Sequence, residues 1–169
     1  AAVEFLKGEG IDTGRMIVSG PSAGAHLSSI LCYSGRIQEE LDVDVSNVIG
    51  FIGAGGPYTF FGKHSFSVRL LLNQLFAKGY DRAQGEPYSL MTKSPIPMLL
   101  IQSRHDGLIA YSCAEHFREK AEILGNKCEL YDVADQRNTH SWYTAGMFLE
   151  TRETNQCLDK FFTWIENIP

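Results

Sequence analysis

Three residue types that together carry out acyl transfer occur in this chain in a telling order: Ser22, then Asp106, then His140. A serine hydroxyl attacks poorly at neutral pH unless an imidazole takes its proton. The imidazole in turn needs a carboxylate that fixes its tautomer and stabilises its cation. Ser22 lies in Gly20-Pro21-Ser22-Ala23-Gly24, a G-x-S-x-G pattern between a short apolar run (16–18) and a helix-forming segment that starts near Ala23. On such a strand-to-helix turn the serine is pushed out of the sheet, and small residues two places either side let neighbouring backbones approach. The helix start aims backbone N–H groups and the positive end of a dipole at the hydroxyl. Both favour an oxyanion there, with the Ala23 amide as its first donor. A glycine- and serine-rich turn without chemistry gives the same pattern, so the downstream residues decide.

The stretch Ser-Gly-Pro-Ser-Ala-Gly-Ala-His-Leu (19–27) resembles the nucleophile elbow of the α/β-hydrolases. More narrowly, it resembles the esterase/lipase group related to hormone-sensitive lipase, where G-x-S-A-G-G-H-L is usual. The departure is Ala25, where that group has a second glycine; alanine suits a helix better. The resemblance runs along the whole chain but covers only the C-terminal part of the family's fold.

It implies a catalytic triad in the order serine, acid, histidine, with each member just after a strand. Asp106 stands three residues after a strand ending at Ser103, and its Asp-Gly-Leu-Ile resembles the family's D-x-x-V. The bland reading of Asp106 is a turn residue capping the next helix. Asp135 is the reserve acid, although it shares a loop with the histidine. Among five histidines, His140 follows the last strand, as the order demands. His26 sits one turn into the elbow helix, where a structural role is expected; His105 neighbours Asp106; His64 and His116 lie away from strand ends. None has metal-ligand spacing with a carboxylate or cysteine, so neither metal nor cofactor is expected. Tyr58, Phe60, Leu108, Ile109 and Trp142 flank these positions and are candidates to line a substrate pocket, against the plainer reading of core packing.

These side chains need elements to position them. A helix end is expected over 1–8, then strands over 16–18, 48–56, 97–103 and 128–133. The run 48–56 is apolar and bounded by glycines, which suits a strand buried on both faces. Between the strands, helices are expected from Ala23 (with Leu27, Ile30 and Leu31 on one face), over 111–124, and finally over 152–167. Residues 36–47 read as a polar surface segment. Segment 57–97 shows no clear strand; Val68, Leu71, Leu72, Leu75 and Phe76 recur there at helical spacing, in a core helix or a cap over the site. The alternation gives an α/β fold: an α/β-hydrolase-like parallel sheet with flanking helices, in a single domain over 1–169. The family's earlier strands and its H-G-G loop, which supplies further oxyanion donors, have no counterpart here. The expectation is a C-terminal fragment whose nucleophile strand is an open edge, able to associate or to receive a missing N-terminal segment.

Composition narrows the partners. With 169 residues, 44% of them hydrophobic and 21% charged, the chain can bury a sizeable core. Its net charge of −5 argues against nucleic acid, and no run is long enough to span a membrane. Cys32, Cys113, Cys128 and Cys157 are widely spaced and read as reduced thiols. No signal peptide is visible; the compartment is unknown, with the cytoplasm favoured. The expected activity is that of a serine esterase or lipase acting on a small-molecule ester through an acyl-enzyme on Ser22. A peptidase or amidase with the same triad and a non-catalytic binding domain of this fold are the rivals.

Overall fold

The structure, a computed structural model, describes residues 2–61, 64–134 and 139–168. Its frame is four parallel strands laid side by side in chain order: β1 (Met16–Pro21), β2 (Val48–Ala54), β3 (Met98–Gln102) and β4 (Cys128–Asp132). Val18 faces Phe51 across the first pair, Ile52 faces Leu99 across the second, and Leu100 faces Leu130 across the third. In β2 and β3 the apolar residues occupy both faces of the pleat, which is what a sheet covered on two sides requires.

The covering helices follow from the connections. Helix α1 (Ala2–Gly8) precedes β1, while α2 (Ala23–Tyr33) and α3 (Gly35–Glu40) lead to β2. Helix α4 (Phe66–Leu75), a 3-10 turn (Arg82–Gly85) and α5 (Pro87–Leu90) lie between β2 and β3. Helix α6 (Tyr111–Ile123) joins β3 to β4. After β4 come α7 (His140–Thr144), a second 3-10 turn (Gly146–Leu149) and α8 (Gln156–Glu166). On one side of the sheet Ala25, Cys32 and Tyr33 of α2 and Ala114, Phe117 and Ala121 of α6 pack with Phe51, Met98 and Leu100. On the other, Tyr143, Met147, Leu158 and Phe161 pack with Ile52, Leu99 and Ile101.

Several elements differ from the sequence expectation. The inward face of α2 is Ala25, Ser29, Cys32 and Tyr33, and Leu27 is 66% exposed. Small residues lie inward because α2 rests closely on β1 and β2. Part of the polar segment 36–47 is helical, started by the Ser34 side chain accepting from the Ile37 N–H. The last helix starts at Gln156, because Asn155 caps it by accepting from the N–H groups of Cys157 and Leu158. Arg152 lies outside that helix and reaches back to Asp159 at 3.0 Å and to Glu166. None of the four cysteines is joined in a disulfide. Strand β1 is paired on one side only among the described residues.

Candidate active site

Strand β1 delivers Ser22 through a turn that no ordinary residue enters freely. Ser22 has φ 50° and ψ −118°, a left-sided conformation that costs energy in any L-residue other than glycine. Its N–H donates to the Ala54 carbonyl at the end of β2, 2.7 Å away, which holds the strained residue in place. The two glycines of the pattern are not equivalent. A Cβ on Gly20 would lie 2.3 Å from the Gly24 carbonyl carbon, whereas one on Gly24 would meet only the Pro21 ring, at 3.3 Å. Gly20 is therefore the position where the elbow backbones meet. Ala23 opens α2, where the first N–H groups of a helix have no intrahelical partner.

The ends of three strands bring the polar side chains together. His140 Nε2 lies 3.0 Å from Ser22 Oγ, and His140 Nδ1 lies 2.8 Å from Asp106 Oδ2. With Asp106 ionised, Nδ1 carries the hydrogen and Nε2 is left to accept from the serine hydroxyl. Asp106 is held from both sides. Its Oδ1 accepts from the N–H groups of Leu108 at 2.8 Å and Ile109 at 2.9 Å, and its Oδ2 accepts from His140 and from the Tyr143 hydroxyl. Burial alone would raise the Asp106 pKa. The donors from His140, Tyr143, Ile109 and Leu108 outweigh it and hold the carboxyl below its ordinary range. The Asp106 side chain has no solvent exposure, and that of His140 keeps 16%.

His140 was expected in a loop; it is the first residue of α7, three places before Tyr143, so both side chains rise from one short turn. Gly55, just past β2, makes room for them. It has φ +61°, and a Cβ there would lie 2.9 Å from the Tyr143 hydroxyl and 3.1 Å from His140 Cε1. Gln102, buried at the end of β3, donates from Nε2 toward Tyr143 Oη at 3.0 Å and Asp106 Oδ2 at 3.3 Å. Tyr143, Gln102 and Gly55 carry no motif that marks them in the sequence. The available signal was the His-x-x-Tyr spacing, legible only once that segment is taken as helical.

A cavity of about 220 Å³ opens beside Ser22 and Ala23. Its walls are almost wholly apolar: Phe60, Leu108 and Ile109 from loops, and Val68, Leu71, Leu72 and Leu75 from α4. Three of the five expected lining residues are thus there, and two are not. Tyr58 is buried in the core, stacked on Phe117 with ring centroids 4.6 Å apart. Trp142 lies against Gly146, where a Cβ would come within 2.5 Å of its ring. Tyr58 lies in the loop after β2 and packs into the core on the α6 side, whereas Trp142 lies within α7 and turns toward Gly146. His26 also lines the cavity, with Nε2 2.7 Å from the Gly85 carbonyl and its ring edge-on to Phe60; burial lowers its pKa. His116 stacks on Phe61. Asp135, the reserve acid, lies outside the described residues. Among the described residues no cluster of three histidines, cysteines or carboxylates could hold a metal.

No family model matches the chain, and no curated protein does. Solved structures do. Esterase 2 of Thermogutta terrifontis, phosphonylated by sarin, superposes with a TM-score of 0.67 at 19% identity, over 97% of this chain and 63% of that one. The fold is α/β-hydrolase-like. Its apo form gives a TM-score of 0.65 at 21% identity, and its butyrate-bound form 0.63 at 21%. This α/β-hydrolase-like chain spans about 63% of the length of those esterase chains. No described helix is long and apolar enough to cross a membrane.

Proposed function

We propose that the chain is a serine hydrolase of carboxylic esters, working through an acyl-enzyme on Ser22. Its supporting observation is the continuous hydrogen-bonded line from Ser22 Oγ through His140 to a buried, ionised Asp106. Ser22 Oγ attacks the ester carbonyl carbon and passes its proton to His140 Nε2; Asp106 stabilises the imidazolium that forms. The carbonyl oxygen, now an anion, is received by the Ala23 N–H at the start of α2. Collapse of the tetrahedral intermediate breaks the ester C–O bond, and His140 returns the proton to the departing alcohol. Water then repeats the sequence on the acyl-Ser22 and releases the acid.

The cavity walls suit an uncharged acyl group. Segment 57–97 acts as a cap, with α4 as its wall over Ser22. The Thermogutta esterase has been seen with butyrate and with propionate bound, both short-chain carboxylates, which agrees with a pocket of this size. Within the α/β-hydrolases, Ser-Ala-Gly-Ala-His-Leu after the elbow favours the group related to hormone-sensitive lipase. The test is hydrolysis of 4-nitrophenyl butyrate together with labelling by a fluorophosphonate. Ser22→Ala is expected to abolish both while leaving the fold intact, a loss on the order of 10⁴-fold or more in kcat. Labelling at another residue, or a variant that keeps its activity, overturns the reading. Absence of both labelling and turnover would assign the chain to the non-catalytic class.

A further inference from the structure

The Asp106 carboxylate has a partner whose only visible chemical use is on the catalytic acid. Tyr143 is fully buried, and its hydroxyl donates to Asp106 Oδ2, the oxygen that also accepts from His140 Nδ1. Two donors fix the phenol oxygen in turn: Gln102 Nε2 at 3.0 Å and the backbone N–H of Ser103. With those donors supplied, the phenolic hydrogen is left for Asp106. A tyrosine needing only to fill space would not require this arrangement; phenylalanine has nearly the same shape.

We propose that Tyr143 is a positioning residue that sets the basicity of His140 through Asp106. The inference rests on the esterase reading above and deepens it. A carboxylate oxygen shared between two donors carries less charge for either one. By withdrawing charge from Oδ2, Tyr143 weakens the hold of Asp106 on the imidazolium. Loss of the tyrosine bond in a variant returns that charge to the Asp106–His140 pair, which holds the imidazolium more strongly, even with Gln102 still bonded to Oδ2.

The surroundings leave few competing causes. Burial raises the pKa of Tyr143, and its bond to Asp106 raises it further, so the phenol remains a donor across the working range. Among the described residues, Cys113 of α6 and Tyr58 of the turn after β2 are titratable groups that interact with Asp106 and Tyr143, and His26 faces Ser22 across the cavity. Burial pushes Cys113 and Tyr58 upward, and both stay neutral. From β1 comes the Ser22 hydroxyl, from β3 the neutral amide of Gln102, and from α7 itself Thr144, bonded to the His140 carbonyl.

The experiment compares the full chain with Tyr143→Phe, following the acid limb of kcat/KM for 4-nitrophenyl butyrate. The His140 ring is titrated in parallel by NMR on the resting protein. The expected result is that both the limb and the ring pKa move upward by about half a unit or more, a loss of about threefold or more in activity below the limb with little change above it. A uniform drop in kcat with the limb and ring pKa unmoved would reduce Tyr143 to a structural role and overturn the proposal. Incorporating 3-fluorotyrosine at 143, a stronger donor of nearly the same shape, is expected to move both downward and keeps the test open if Tyr143→Phe folds poorly. No shift with the fluorinated ring likewise overturns it. The NMR arm needs no turnover, so a protein without esterase activity would sink the functional reading while still deciding this one.

Discussion

At the scale of single residues, the ionised state of Asp106 links the site to acid stability. Its carboxyl is held below the ordinary value of 3.8 by its donors, against the opposing effect of burial. A group depressed in this way contributes stability that is fully present above its unfolded pKa and is lost as pH falls through the lower, folded value. Asp106→Asn should therefore flatten the part of the acid-unfolding curve below about pH 3.8. The same variant should slow fluorophosphonate labelling of Ser22 without ending it, whereas His140→Ala should nearly end it. The difference arises because the aspartate orients and stabilises an imidazole that itself moves the proton. Labelling rates and urea midpoints as a function of pH check both. Unchanged labelling in Asp106→Asn would mean that the acid lies elsewhere.

At the scale of elements, the sequence made the strands and the order of Ser22, Asp106 and His140 legible, because Ser22 and Asp106 sit just past apolar strands and His140 follows the last one. It was less informative where two side chains meet across a turn. Tyr58 and Trp142 flank the site in sequence, yet Tyr58 is buried against Phe117 and Trp142 lies against Gly146. Tyr143 was hidden because a five-residue helix leaves almost no periodic signal. Helix α4 was readable as amphipathic, but its burial is uneven. Val68 and Leu72 are buried, while Leu71 is 59% exposed and still lines the cavity at Ser22. Leu71→Trp should fold normally, since little packs on that side chain, and it should fill part of the 220 Å³ space. The expected outcome is a fall of about tenfold in kcat/KM for an octanoyl ester relative to an acetyl ester, in line with the one or two kcal/mol that a few methylenes are worth. An unchanged chain-length profile would remove α4 from the acyl pocket.

At the scale of the whole molecule, the sheet is covered unevenly. Strands β2 and β3 are buried on both faces, whereas β1 pairs only with β2, and its N–H and C=O groups on the other side have no strand beside them among the described residues. The helices nearest β1 in the chain share this condition. Helix α1 has no buried residue, Phe5 is 67% exposed and Ile11 52%, and α2 leaves Leu27 66% exposed. A free strand edge beside apolar side chains is a template for pairing with another chain, and a net charge of −5 spread over 169 residues opposes contact only weakly at physiological salt. The chain as given should therefore associate reversibly as its concentration rises. Sedimentation velocity from about 1 to 100 μM is expected to show growing average mass, with the midpoint displaced to higher concentration in a Leu27→Glu/Phe5→Glu double variant. The charged side chains act on the associated state, since neither position packs in the isolated chain. A sharp monomer boundary over the whole range would show that the β1 edge is protected as it stands.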